Sequence, residues 1–174
     1  MKYILKLKNN LKMNMNKTLL IALAFISLWS CQGQTTSQKK IEKQIALFEK
    51  DNSIDLLGTN RNNEHFKSFL GFKFNYLTRI SSKLLLLKTF LVTPSVIFKR
   101  KVLLNTGFFD EKQKFAEEGD YWIRICNKNN CYLVNESLVI TGGGKPNFGF
   151  SGLSSNLYRM EKGELKNIKT ALNL

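Results

Sequence analysis

Three acidic side chains in the second half of the chain lie close enough together to act on a proton. Glu117 and Glu118 are adjacent, and Asp120 follows one glycine later, before an apolar helical run. A carboxylate can take the proton from a hydroxyl group as that group attacks, which is general-base catalysis. The same acids are also typical of a helix start, where the helix dipole favours negative charge. Glycosidase chemistry fits less well, because adjacent residues rarely bracket one bond.

Two other groups of residues could bind ligands. The run Gly142-Gly143-Gly144-Lys145 has the composition of a phosphate loop, but Pro146 stands where that motif needs Ser or Thr. We interpret residues 142–152 as a loop, with Lys145 as a candidate contact to a diphosphate. The cysteines are odd in number, and the single histidine, His65, is far from them in sequence, so neither a disulfide framework nor a zinc site is indicated.

The elements that must position these residues alternate between helical and strand-like periods, which predicts an α/β fold. We expect strands near 54–58 and 95–98 to lie in one sheet, flanked by helices at 38–50 and 120–128. Cys126 and Cys131 fall in an apolar helical run and at the start of a strand, which indicates reduced core thiols. Other expected elements are an irregular segment or hairpin over 60–76, a helix over 83–90 capped by a preceding serine, an extended Thr93 before Pro94, a helix over 100–105 closed by Gly107, a strand over 132–140 and a polar helix over 155–171.

Composition predicts one domain with a basic surface. The 174 residues are 43% hydrophobic and carry a formal charge of +14, to which residues 1–31 contribute five lysines and no acid. Such a charge favours anionic partners: nucleic acid, lipid head groups or a sugar diphosphate. We find no basic stripe interleaved with aromatics, no helix-turn-helix pattern and no Cys/His finger, and therefore do not expect nucleic acid.

Residues 1–36 have the composition of an export signal followed by a linker. Lysines precede an apolar run, Leu19 to Trp29, which is too short to span a bilayer in the usual way. The alternative is a buried helix of the domain, against which the lysines and the polar stretch that begins at Gln32 both argue. Leu28-Trp29-Ser30-Cys31 resembles the lipobox of bacterial lipoproteins, which implies acylation of Cys31 and a location in the membrane or cell envelope.

Four segments, in this order, resemble the C-terminal, acceptor-binding half of a family 2 glycosyltransferase. They are Lys40–Gln44, Ile54–Thr59, Thr93–Arg100, and Gly107–Asp110 leading into Ala116–Arg124. The resemblance assigns residues 37–174 to this half of the domain. It implies a partial GT-A-like (Rossmann-like) sheet with flanking helices, and transfer of a sugar, of the hexosyltransferase type, from a nucleotide-sugar donor to a saccharide or lipid-linked acceptor.

The resemblance also suggests a role for each acid. Glu118 stands at the position of the usual catalytic base, where the family more often has aspartate, and Glu117 is its neighbour in the acidic pair. We expect both in a loop just before a helix. Asp120, Trp122 and Lys145 are candidates for the substrate side, with Asp120 also a helix cap and Trp122 either packing or forming a wall for sugar stacking.

The family's donor motif has no counterpart before these segments. An Asp-x-Asp that holds Mn²⁺ or Mg²⁺ should precede Lys40, yet there is no acidic residue before Glu42. We therefore expect no metal cofactor in this chain, a missing nucleotide-binding half, and doubtful transferase activity of the chain itself. A truncated or fused gene product, an inactive remnant, and a chain completed by a partner all fit.

Two further interpretations remain open. The chain could be a non-catalytic envelope lipoprotein that binds polysaccharide or a protein partner. Alternatively, the start could be misassigned and the signal spurious, which would place the protein at the cytoplasmic face of the membrane. The expected partners are a nucleotide sugar and a saccharide acceptor by resemblance, and the membrane through the N-terminal segment.

Overall fold

The structure is a computed structural model, and it describes residues 20–21, 33–144 and 152–172. Within them the chain is a mixed α/β protein, which confirms the predicted class. The strands are β1 (Leu20–Ile21), β2 (Leu56–Arg61), β3 (Ser68–Phe69), β4 (Phe72–Lys73), β5 (Leu77–Ile80), β6 (Ile97–Lys99) and β7 (Cys131–Val139). The helices are α1 (Gly33–Lys50), α2 (Ser82–Leu87), α3 (Arg100–Thr106), α4 (Glu117–Lys128) and α5 (Leu157–Ala171).

The main sheet is mixed and has the strand order β1-β6-β2-β7-β5. At its centre β2 and β7 run parallel, with Leu57 opposite Tyr132. β6 pairs antiparallel with β2, and β5 pairs antiparallel with β7. The strands predicted near 54–58 and 95–98 are therefore neighbours in one sheet, as expected.

Each face of the sheet is covered by one of the two predicted helices. Successive side chains of a strand point to opposite faces, and the core divides accordingly. Leu56 and Leu133 belong to the cluster that contains Tyr121, Trp122 and Ile125 of α4. The next residues along the strands, Leu57 and Val134, belong to the cluster that contains Phe48 of α1. The prediction that these helices flank the sheet is confirmed.

Gly58 lies inside β2, although we expected a glycine to close this strand. A Cβ at this position would lie 2.4 Å from Leu91 Cδ2, so the missing side chain makes room for a residue packed over the strand. The strand continues to Arg61, with Thr59 and Asn60 buried.

Two local expectations around Pro94 and α2 are wrong. Thr93–Ser95 is a 3-10 turn, closed by hydrogen bonds from the Ser95 backbone N and Oγ to the Val92 carbonyl, both 2.9 Å, and β6 begins only at Ile97. Proline is well suited to a first helical turn. α2 is capped by Ser81, whose side chain accepts from the Leu84 N–H as predicted, but it ends at Leu87 because Phe90 enters the core.

The connecting segments follow some of the remaining expectations, although the strand β5 was not among them. β3 and β4 form the hairpin that was one of our two alternatives for residues 60–76. Gly107 caps α3 with φ of 81° and ψ of −151°, a positive-φ geometry other than the left-handed helical one we predicted. Cys126 and Cys131 are free and buried, which confirms two core thiols. The hydrogen bond between them, together with burial, raises the pKa of Cys126 well above its ordinary value.

The structure tests only some of the expectations for the N-terminal residues. Cys31 and most of the apolar run lie outside the described residues, but Leu20–Ile21 pairs with β6 at the edge of the sheet. Residues 34–40, which we predicted to be a linker, are helical instead. They belong to α1, which begins at Gly33, and no proline interrupts this stretch. None of the helices in the described ranges is long and apolar enough to cross a membrane.

Candidate functional site

The acidic residues of the candidate site belong to the first turn of α4, not to a loop before it. The helix begins at Glu117, and its N-cap is Ala116, in a left-handed conformation with φ of 55°. The capping role that we predicted for Asp120 is therefore wrong. Its carboxylate instead accepts a hydrogen bond from Arg124 Nε at 2.8 Å, one helical turn further on.

Glu118 contacts the turn that precedes β6. The Thr93 hydroxyl donates a hydrogen bond of 2.8 Å to Glu118 Oε1, and the pair is partly buried. The N-terminus of α4 favours a negative charge on this carboxylate, because the helix dipole is positive at that end. A carboxylate held by a hydroxyl donor in this way is oriented, and it keeps its second oxygen for another proton donor.

The turn itself is fastened to α1 by two side chains. Lys40 Nζ donates to the Pro94 carbonyl at 2.6 Å, and burial lowers the pKa of this lysine from its ordinary value. Gln44 is fully buried, and its Nε2 donates to the carbonyls of Leu57 and Ser95, both at 2.9 Å. The turn that holds Thr93 against Glu118 is thus tied both to β2 and to the helix below it.

Sequence reasoning missed the roles of Thr93, Lys40 and Gln44. All three lie in segments that carry the family resemblance, but no spacing along the chain places them next to one another. The available signal was that polar residues at helical spacing, Lys40 and Gln44, lie on one face of α1. Buried polar side chains need partners, so a pair of this kind on an inward face indicates a polar contact nearby.

The loop before α4 is held from the other side by α5. Asn167 is 2% exposed; its Nδ2 donates to the Ala116 carbonyl at 2.8 Å, and its Oδ1 accepts from Gln113 Nε2 at 2.7 Å. Gly163 of α5 lies against the same loop, since a Cβ there would be 2.5 Å from the Phe115 carbonyl oxygen. The left-handed Ala116, and with it the start of α4, is therefore positioned by α5.

We expect Asn167→Ala to lower the free energy of unfolding by about 1 to 3 kcal/mol, because each of its two partners loses its shorter hydrogen bond. The Ala116 carbonyl then keeps the 3.4 Å bond from the Asp120 N–H, and the Gln113 amide keeps the 3.1 Å bond to the Phe115 carbonyl. Urea unfolding followed by circular dichroism measures this. Thr170→Ala is the matched control on the same helix, since Thr170 is exposed and its hydroxyl only returns to the Lys166 carbonyl. Equal stability of Asn167→Ala and the native chain would show that this contact does not hold the loop.

Trp122 lies in the core, 2% exposed, with its ring 5.3 Å from that of Tyr121 and 5.9 Å from that of Phe109. It packs, as one of our two interpretations had it, and it presents no open ring face for a sugar. Tyr121 donates from its hydroxyl to the Gly107 carbonyl at 3.0 Å, which ties α4 to the end of α3. Lys145 lies outside the described residues.

The described residues show no group of three or more His, Cys, Asp or Glu side chains that could hold a metal ion. Comparison with protein-family profiles, with curated proteins and with solved structures finds no significant match to this chain.

Proposed function

We propose that this chain is glycosyltransferase-like and that Glu118 is the base that takes the proton from an acceptor hydroxyl. The reaction is transfer of a sugar from a nucleotide-sugar donor to a saccharide or lipid-linked acceptor. The observation that carries the proposal is the hydrogen bond between Thr93 and Glu118. It joins the two segments whose resemblance to family 2 glycosyltransferases is most specific, although they are far apart in the sequence.

The contact also supports the use of glutamate where the family more often has aspartate. A longer side chain has one more rotatable bond, and a catalytic group that is misplaced by about an ångström loses much of its effect. Thr93 restricts this freedom by holding one carboxylate oxygen. In the proposed reaction Thr93 is a positioning residue, and the free oxygen of Glu118 accepts the proton of the attacking hydroxyl.

In this proposal the nucleotide-sugar donor is bound by a part of the enzyme other than this chain. Residues 1–41 contain no aspartate or glutamate, so the acids that hold a divalent metal and the sugar diphosphate in this family have no counterpart before α1 or in its first turns. We propose that this chain provides the acceptor side. Glu117 is proposed to line this side with Glu118, and Lys145 to contact the diphosphate. Asp120 is buried and paired with Arg124, so we do not propose it as a substrate contact.

Acceptor binding tests the proposal directly. The ¹⁵N-labelled full chain is titrated with a panel of neutral mono- and oligosaccharides, and amide chemical shifts are followed. We expect shifts at Thr93 and at residues 116–120, and their loss in Glu118→Ala. Glu111→Ala, which removes an exposed acid outside α4, is the matched control. Saccharide-induced shifts confined to other parts of the chain would favour a binding protein without this site, and no shifts from any saccharide would contradict an acceptor site.

A further inference from the structure

The outer face of α5 exposes large apolar side chains. Tyr158 is 72% exposed and Leu165 51%, and Leu157, Ile168 and Leu172 are exposed with them. At 3.6 residues per turn these five positions fall within an arc of about 100°. The opposite face of the helix is fixed to the loop before α4 by Asn167 and Gly163, so the apolar arc cannot turn inward.

Cations line one edge of this arc. Lys162, Lys166 and Lys169 follow the apolar positions around the helix, and Lys112 and Lys114 of the neighbouring loop face them across an open groove. One acid interrupts the arc: Glu161 is exposed and, at helical spacing, lies between Ile168 and Leu172. The other acid of α5, Glu164, is partly buried, and this burial raises its pKa. Lys166 is paired with Asp110 at 3.1 Å. The remaining lysines leave a clear excess of positive charge beside the apolar arc.

We propose that this face of α5 docks on a membrane surface that contains anionic lipids. An exposed apolar stripe bordered by lysines is typical of helices that lie in the plane of the interface, with the stripe in the acyl region and the lysine heads among the phosphates. The inference is independent of the proposed function. It concerns α5 and the loop beside it, and not the N-terminal apolar run.

The charges on this face argue against a second copy of the chain, and the apolar side chains argue against nucleic acid. A second copy docked through the same surface would bring two sets of lysines together, and residues 1–31 of the chain carry lysines without any acid. Nucleic acid would match the lysines, but it would leave the leucine and isoleucine side chains of the stripe without apolar partners. Anionic lipid satisfies both the charge and the apolar arc.

The test is amide hydrogen exchange of the full chain, measured on peptides that cover residues 157–172. We expect exchange there to slow when vesicles of phosphatidylglycerol and phosphatidylcholine are added, and not with phosphatidylcholine alone. Leu165→Glu should abolish this protection. Leu104→Glu, the same change at an exposed leucine of α3, should retain it. Lys162→Gln with Lys169→Gln should weaken it at least tenfold in lipid concentration, because each lysine near an anionic surface contributes about a fivefold change.

Several outcomes would overturn the proposal. The first is that anionic vesicles do not slow exchange in residues 157–172, and the second is that phosphatidylcholine alone slows it equally. The third is equal protection by polyuridylate without lipid, which would indicate nucleic acid. Protection that needs no lipid and rises with protein concentration would indicate a second copy instead. The lysine variants change only exposed side chains, so they decide the matter even if Leu165→Glu proves unstable.

Discussion

Glu118→Gln is expected to lower kcat by about a hundredfold or more in an active enzyme that contains this chain, because it keeps the shape of the side chain but removes its basicity. The active form is a chimera in which the sugar-nucleotide-binding half of a related enzyme precedes Lys40. We expect this chimera to transfer sugar in the presence of Mn²⁺ or Mg²⁺. Release of nucleoside diphosphate under saturating acceptor measures the rate.

The matched control is Glu117→Gln, which removes the same charge from the adjacent residue of α4 and should keep most of the rate. Thr93→Val should lower kcat less than Glu118→Gln, since it frees the carboxylate from its partner without removing it. A chimera that keeps its rate after Glu118→Gln but loses it after Glu117→Gln would place the base one residue earlier. Turnover of a nucleotide sugar by the unmodified chain would contradict the proposal that this chain contains no donor site.

Trp122→Ala should lower the free energy of unfolding by about 3 to 5 kcal/mol, the usual cost of removing a large aromatic ring from a packed core. The ring is buried in the same core cluster as Leu56 and Leu133 of the sheet, and it contacts two other aromatic rings. Thermal and urea unfolding of the full chain measure this loss. So large a change is expected to unfold a substantial fraction of the variant at physiological temperature.

Trp122→Phe separates packing from sugar contact. It keeps an aromatic ring and removes an indole N–H that is buried without a hydrogen-bond partner among the described residues, so we expect a loss of only about 1 to 2 kcal/mol. Saccharide binding should not change. A folded Trp122→Phe that no longer binds saccharide would restore the interpretation of Trp122 as a stacking wall.

Three strands of the sheet, β2, β6 and β7, and its two flanking helices could be predicted from sequence because their patterns are local. The edge strands β1 and β5 were not predicted. Apolar residues at helical spacing identified α1, and the short apolar run before Gly58 identified β2. Their bounds shifted where tertiary contacts prevail. Leu91 packs over Gly58 and lets β2 continue, and the burial of Phe90 ends α2 early. Local sequence propensity contains no information about contacts of this kind, because the residues involved are distant in sequence.

The site was predictable as a set of residues but not as an arrangement. Family resemblance selected Glu118, yet its partner Thr93 emerged only from the fold. Asn167 was the least predictable member. It lies in a helix whose sequence is mostly polar, and only the approach of α5 to Ala116 makes it a buried residue with two partners. A polar side chain on a polar helix gives no local sign of burial.

The parallel pairing of β2 with β7 has a consequence for the order in which the chain folds. These strands come from segments 56–61 and 131–139, and the chain between them must be confined before they can meet. Closing so long a loop is entropically unfavourable, and contacts of this range form slowly. The β3–β4 hairpin and the helices on either side can form beforehand. Thr93 and Glu118 both lie within that loop, so their contact can form before β2 and β7 pair. The hydrogen bond from Gln44 to the Leu57 carbonyl, in contrast, depends on the final position of β2 in the sheet.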